Sequence, residues 1–73
     1  MAYVPAELAV SPGDTVMWAN RDIVPHTVTA EHRRFDSGFL SPSAEWSLVV
    51  RESGRISYAC TFHPTMKGAL VVK

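Results

Sequence analysis

Cys60, His63 and Met66 follow one another at intervals of three within the stretch Tyr58-Ala59-Cys60-Thr61-Phe62-His63-Pro64-Thr65-Met66-Lys67-Gly68. A thiolate, an imidazole and a thioether are the soft and borderline donors that suit copper. Intervals of three bring side chains to one side of a tight turn, and Pro64 stops an ordinary helix from running through it. Gly68 is expected to take a positive φ where the chain leaves that turn. Three donors leave one coordination position open, so a fourth is expected from elsewhere in the chain.

The choice lies between His26 and His32. His26 follows Pro25 and shares a strand face with Val28, which turns it inward at a strand end. His32 sits among Glu31, Arg33 and Arg34, where a solvated side chain is the natural reading. The choice therefore falls on His26. Two histidines, a thiolate and a methionine make the trigonal set with a weak axial thioether that describes electron-transfer copper. A structural zinc would use four strong donors, commonly Cys and His in paired spacings. The expected cofactor is one copper per chain, with thiolate and thioether favouring Cu(I) and the imidazoles accepting Cu(II). Four protein donors leave no open position for a substrate, which points away from an enzyme. Taken singly, a lone Cys is most often a small buried hydrophobe and a lone Met fills core. The joint pattern C-x-x-H-x-x-M with an upstream Pro-His is what argues for a metal.

Short extended runs separated by turn signals must position these donors. Glu7–Val10 ends at Ser11-Pro12-Gly13-Asp14, whose Pro-Gly pair suits a tight turn. Thr15–Asn20 alternates with Val16, Trp18 and Asn20 on one face. Arg21–Pro25 is a loop, and Pro25 forces Val24 into an extended conformation. His26–Ala30 follows as a strand with His26, Val28 and Ala30 on one side. Ala44–Val50 carries Trp46, Leu48 and Val50 on one face, and Glu52-Ser53-Gly54 reads as a hairpin-type turn. Arg55–Cys60 alternates with Ile56, Tyr58 and Cys60 inward, and Gly68–Lys73 is a last strand. The expected fold is all-β, a small antiparallel sandwich or open barrel forming a single domain over residues 1–73.

Composition narrows the classes further. At 73 residues the core is modest, so bound metal or an oligomeric contact would add stability. Lys plus Arg and Asp plus Glu are 7 each, so zero formal charge offers no basis for nucleic acid or anionic membrane as a partner. One cysteine rules out an internal disulfide. No apolar run approaches a membrane span. Met1–Pro5 lacks a basic n-region and a long h-region, so no signal peptide is expected in this chain.

Together these residues resemble a cupredoxin, the blue copper family, with a short loop of the amicyanin type in which two residues separate His63 from Met66. Val4-Pro5-Ala6-Glu7-Leu8, Pro12 to Asn20 and Val24-Pro25-His26-Thr27-Val28 follow the family in order. The resemblance implies a Greek-key β-sandwich with His26, Cys60 and His63 as strong ligands and Met66 as the axial one. It implies that Thr27 offers a backbone N–H to the Cys60 sulfur and that Asn20 ties the ligand loops together, contacts that tune a metal site. It also implies an extracytoplasmic, commonly periplasmic, electron carrier. Redox partner proteins would dock at an apolar patch around His63 formed by Val24, Pro25, Phe62, Pro64 and Thr65. Competing functions on the same ligands are copper delivery and a domain of a multicopper oxidase or nitrite reductase. Two departures stand out: Phe62 occupies a position where such loops usually carry proline, and the sandwich looks truncated at the N-terminus by one strand. An unpaired sheet edge follows, with self-association through it, or marginal stability without copper, as the expectation.

Overall fold

The computed structural model describes residues 2–73. Six strands form in chain order: β1 (Glu7–Val10), β2 (Thr15–Ala19), β3 (Thr29–Ala30), β4 (Glu45–Val49), β5 (Gly54–Ala59) and β6 (Lys67–Val72), with a 3₁₀ turn at Glu31–Arg33. They make two sheets, one ordered β1-β6-β5-β3 and the other pairing β2 with β4. The inward residues of each alternating run close the space between them. Val16, Ile56 and Leu70 are buried there with Val28, Val50 and Val72. Trp18 stacks obliquely on Trp46 at 5.4 Å between ring centroids and meets Tyr58 edge-on at 5.5 Å. Aromatic contacts of this kind add to simple area burial. The result is the expected small all-β sandwich.

Three local expectations need correction. The sandwich is not wholly antiparallel, because β1 runs parallel to β6 with Leu8 opposite Leu70. The Glu52-Ser53-Gly54 turn closes no hairpin: β4 pairs with β2, whereas β5 pairs with β6 and β3. The chain crosses there from one sheet to the other, held where Gly13 N–H donates to the Val50 carbonyl at 2.7 Å and Val50 N–H donates to that of Asp14 at 3.0 Å. Gly68 has no positive φ; those at glycine fall on Gly13, Gly38 and Gly54. Gly68 sits directly opposite Tyr58 across β5 and β6. A Cβ there would lie 2.6 Å from the Tyr58 ring. Close packing of the aromatic, not backbone conformation, requires glycine.

The expected strand His26–Ala30 is regular only at Thr29–Ala30. His26 instead makes an isolated bridge to Leu40, donating its N–H to the Leu40 carbonyl at 3.1 Å and accepting the Leu40 N–H at 2.8 Å. The inward face is as expected, since His26, Val28 and Ala30 are all buried.

Candidate metal centre

The end of β5 and the segment after Pro25 meet at one end of the sandwich. Cys60 continues the inward face of β5 beyond its last paired residue and is 1% exposed. The loop that follows turns back on itself: Met66 N–H donates to the His63 carbonyl at 2.8 Å, and Cys60 N–H donates to the Met66 carbonyl at 3.1 Å. That closure sets Cys60, His63 and Met66 around a single turn, as their spacing predicts. Met66 is buried and His63 half-buried. His26 arrives from the other side, pointing inward and buried.

Ligand-type atoms of His26, Cys60 and His63 all lie within 4.8 Å of one another. The Cys60 Sγ is 3.6 Å from His26 Nδ1 and 3.8 Å from His63 Nδ1. Imidazole and thiolate bonds to a divalent metal of about 2.0–2.3 Å, opened to a trigonal angle, place the donor atoms about 3.8 Å apart. The spacing therefore fits one ion held among the three donors, and the donor set fits copper. His32 is exposed in the 3₁₀ turn and takes no part.

The sulfur is prepared for its charged form. Burial pushes the Cys60 thiol up, but the Thr27 N–H at 3.4 Å and the two imidazoles outweigh it, bringing the pKa down to about 6. Burial pushes His26 the other way, toward the neutral ring, and hydrogen bonds to Cys60 and Asp22 reverse that and leave its pKa raised. Thr27 serves twice: its hydroxyl oxygen also accepts the Thr61 N–H at 2.9 Å, tying the two ligand segments together. Asn20 does the same job one layer back. Its amide donates to the Val24 carbonyl at 2.9 Å and the Leu40 carbonyl at 3.0 Å, and its Oδ1 accepts the Asp22 N–H at 2.9 Å.

Sequence reasoning missed three participants. Asp22 accepts a hydrogen bond from His26 Nε2 at 2.6 Å. Tyr3, buried in a segment without regular structure, donates its hydroxyl to the Thr27 carbonyl. Ser37 accepts the Val28 N–H at 2.8 Å. Only Asp22 had an available signal: a ligand histidine uses one ring nitrogen and needs a partner for the other.

Comparison with known proteins agrees with this geometry. A model of copper-binding proteins of the plastocyanin/azurin family matches residues 1–73. Amicyanin from Paracoccus denitrificans is 39% identical over 83 residues, an alignment covering 100% of this chain and 60% of that protein. Amicyanin from Paracoccus versutus is 28% identical over 78 residues, with 59% of its length covered. The chain thus spans about 60% of the length of these curated relatives. Among solved structures, a purple cupredoxin from Nitrosopumilus maritimus superposes with a TM-score of 0.92 at 32% identity, covering 97% of this chain and 81% of the other. An oxidized amicyanin mutant superposes with a TM-score of 0.92 at 36% identity, covering 100% and 74%. With its full length matched, its fold shared and its donors gathered around one copper-sized position, the chain belongs to the plastocyanin/azurin family of copper-binding proteins.

Proposed function

We propose that this chain carries single electrons between protein partners on a type 1 copper held by His26, Cys60 and His63, with Met66 as the axial ligand. The observation carrying this reading is the Cys60 sulfur set 3.6 Å and 3.8 Å from two imidazole nitrogens while accepting the Thr27 N–H at 3.4 Å. Copper in such a set supplies a one-electron couple. The chain's own contribution is to hold the donors in one arrangement that suits both oxidation states, through Asn20, Thr27 and the Leu40 bridge. A protein built to hand copper over would gain nothing from fixing His26 so tightly. Adding Cu(II) to the pure protein and recording visible absorption and EPR tests the proposal. An intense thiolate-to-copper band that cycles reversibly with reductant is expected, and its absence would end the type 1 reading.

His63 provides the contact face. Beside it Phe62 is 51% exposed and packs edge-on against Phe39, itself 64% exposed, with centroids 5.9 Å apart. Ile23 is 94% exposed, Pro64 is open and Val24 and Pro25 are half-buried. This largely apolar surface suits small transient encounters with redox partner proteins. The family likeness supports an extracytoplasmic, periplasmic setting for that traffic, and among the described residues no helix is long and apolar enough to cross a membrane.

A second surface supports self-association. Hydrogen bonds at Asp14 and Asn20 turn the even-numbered backbone of β2 toward β4. In an antiparallel pair the alternate residues face away, so Thr15, Met17 and Ala19 present their N–H and C=O groups at the open edge. A second copy can pair there antiparallel about Met17, which is 55% exposed. Sedimentation at rising concentration tests this, and a stable monomer throughout would count against it.

A further inference from the structure

We infer that Asp22 is a positioning residue that fixes the His26 ring and biases the copper site toward its oxidised state. The inference rests on the proposed ligand role of His26. The two histidines are held differently. His26 has both ring nitrogens engaged: Nδ1 faces the Cys60 sulfur at 3.6 Å and Nε2 meets Asp22 Oδ2 at 2.6 Å. His63 faces the sulfur through Nδ1 at 3.8 Å, and among the described residues no hydrogen bond engages its Nε2.

Asp22 is itself held. Its N–H donates to Asn20 Oδ1 at 2.9 Å, and the Asn20 amide grips the Val24 carbonyl at 2.9 Å. The carboxylate is thus presented from a short pinned loop, although its side chain is 50% exposed. With Nε2 donating to a carboxylate, Nδ1 is left as the metal-facing atom, so the bond selects the tautomer and the ring orientation together. A charge-assisted bond of this length also pushes electron density into the ring and raises its basicity as a ligand. A more basic imidazole, with a fixed negative charge behind it, favours the more highly charged Cu(II) over Cu(I). Asp22 therefore lowers the reduction potential, with the Nε2 proton staying in place.

The test compares the wild type, Asp22→Asn, Asp22→Glu and Asp22→Ala as copper-loaded proteins, reading the potential by voltammetry and the His26 ring ¹⁵N shifts in the diamagnetic Cu(I) form. Asn can still accept the hydrogen bond but carries no charge. We expect Asp22→Asn to weaken the preference for Cu(II) about tenfold, a rise of about 59 mV for a one-electron couple. Asp22→Glu should restore most of the difference. Asp22→Ala should raise the potential at least as far as Asn does and blur the Nε2–H signature in the ring shifts. If the wild type shows the blue band but Asp22→Asn and Asp22→Ala leave potential and ring shifts unchanged, the assignment to Asp22 is wrong. If the variants lower only thermal stability, Asp22 is merely structural and the inference is equally overturned. A wild type without the blue band would instead overturn the ligand reading beneath it.

Discussion

The two halves of the site are built differently. On one side, between Asn20 and Thr27, hydrogen bonds do the fixing: the Asn20 amide makes three, Thr27 binds both the sulfur and Thr61, and the His26 backbone bridges Leu40. On the other, Thr61, Phe62, Pro64 and Thr65 are exposed, and the loop is closed mainly by two backbone bonds of its own. The loop rich in donors is the lightly tethered one. In the proposed electron carrier, the half carrying His26 would set ligand geometry and keep rearrangement small when charge changes. The open half would present a ligand edge to a partner, so each segment would serve one of the two needs.

The most severe break removes the atom the two halves share. Cys60→Ser replaces the thiolate with a hydroxyl that does not ionise at neutral pH, and the sulfur accounts for the intense visible band. Complete loss of the blue colour on adding Cu(II) is expected. Retention of a strong band would mean that Cys60 is not the ligand.

Next comes the frame. Asn20→Ala leaves the Val24 carbonyl without its donor and the Asp22 N–H without its acceptor, and takes one of two donors from the Leu40 carbonyl, which keeps the His26 N–H. Such losses run at about 1–3 kcal/mol per unsatisfied group, so apo stability in urea should fall by about 2–3 kcal/mol. Thr65→Ala, on the exposed half, should change it by less than about 0.5 kcal/mol. Equal effects at the two positions would erase the contrast drawn between the segments.

Gly68→Ala probes where the open loop rejoins the sandwich. The added methyl meets the Tyr58 ring, held by edge-on contacts to Tyr3 at 4.8 Å and Trp18 at 5.5 Å. Overpacking of this kind destabilises by about 1–3 kcal/mol. Thermal denaturation of the apo variant reads it. Adding Tyr58→Leu should recover part of the loss, because the clash is with the ring. A Gly68→Ala variant as stable as wild type would show that the strands yield there.

Acid should affect the sulfur through both halves at once. The apo Cys60 thiol sits near a pKa of about 6 against an ordinary value of 9.0. Its folded value is depressed, so its contribution to stability is fully present above the unfolded thiol range and is lost as pH falls through about 6. Thiolate ultraviolet absorbance of the metal-free protein should titrate near that value. A midpoint near 9 would show that Thr27 and the imidazoles do not act on the sulfur as their distances indicate.

Much of this was legible in the residue order. Alternation marked the inward faces carrying Val16, Ile56 and Tyr58, and intervals of three marked the loop donors, because both patterns are local. Less legible was whatever depends on distant neighbours. The parallel pairing of β1 with β6 joins segments some 60 positions apart in number, and no periodicity records it. The crossing at Glu52–Gly54 looks like any hairpin turn until the strand partners are known. Asp22 and Tyr3 lie in irregular segments, where side-chain direction follows from tertiary contacts and not from a period. Gly68 was singled out for the wrong reason, since only the structure shows the Tyr58 ring above it.

The smallest effect belongs to the histidine that the site leaves out. His32 is exposed, at φ 56 in the Glu31–Arg33 turn. With its ring in solvent, His32→Ala removes no packing and no donor from the metal, so the visible spectrum and the copper stoichiometry should match wild type. Its backbone conformation is one that an alanine tolerates less readily than a glycine. His32→Gly should therefore be the more stable of the two, by about 1 kcal/mol, in urea denaturation. Bleaching of the blue band in either variant would transfer the fourth donor from His26 to His32 and undo the division into a fixed half and an open one.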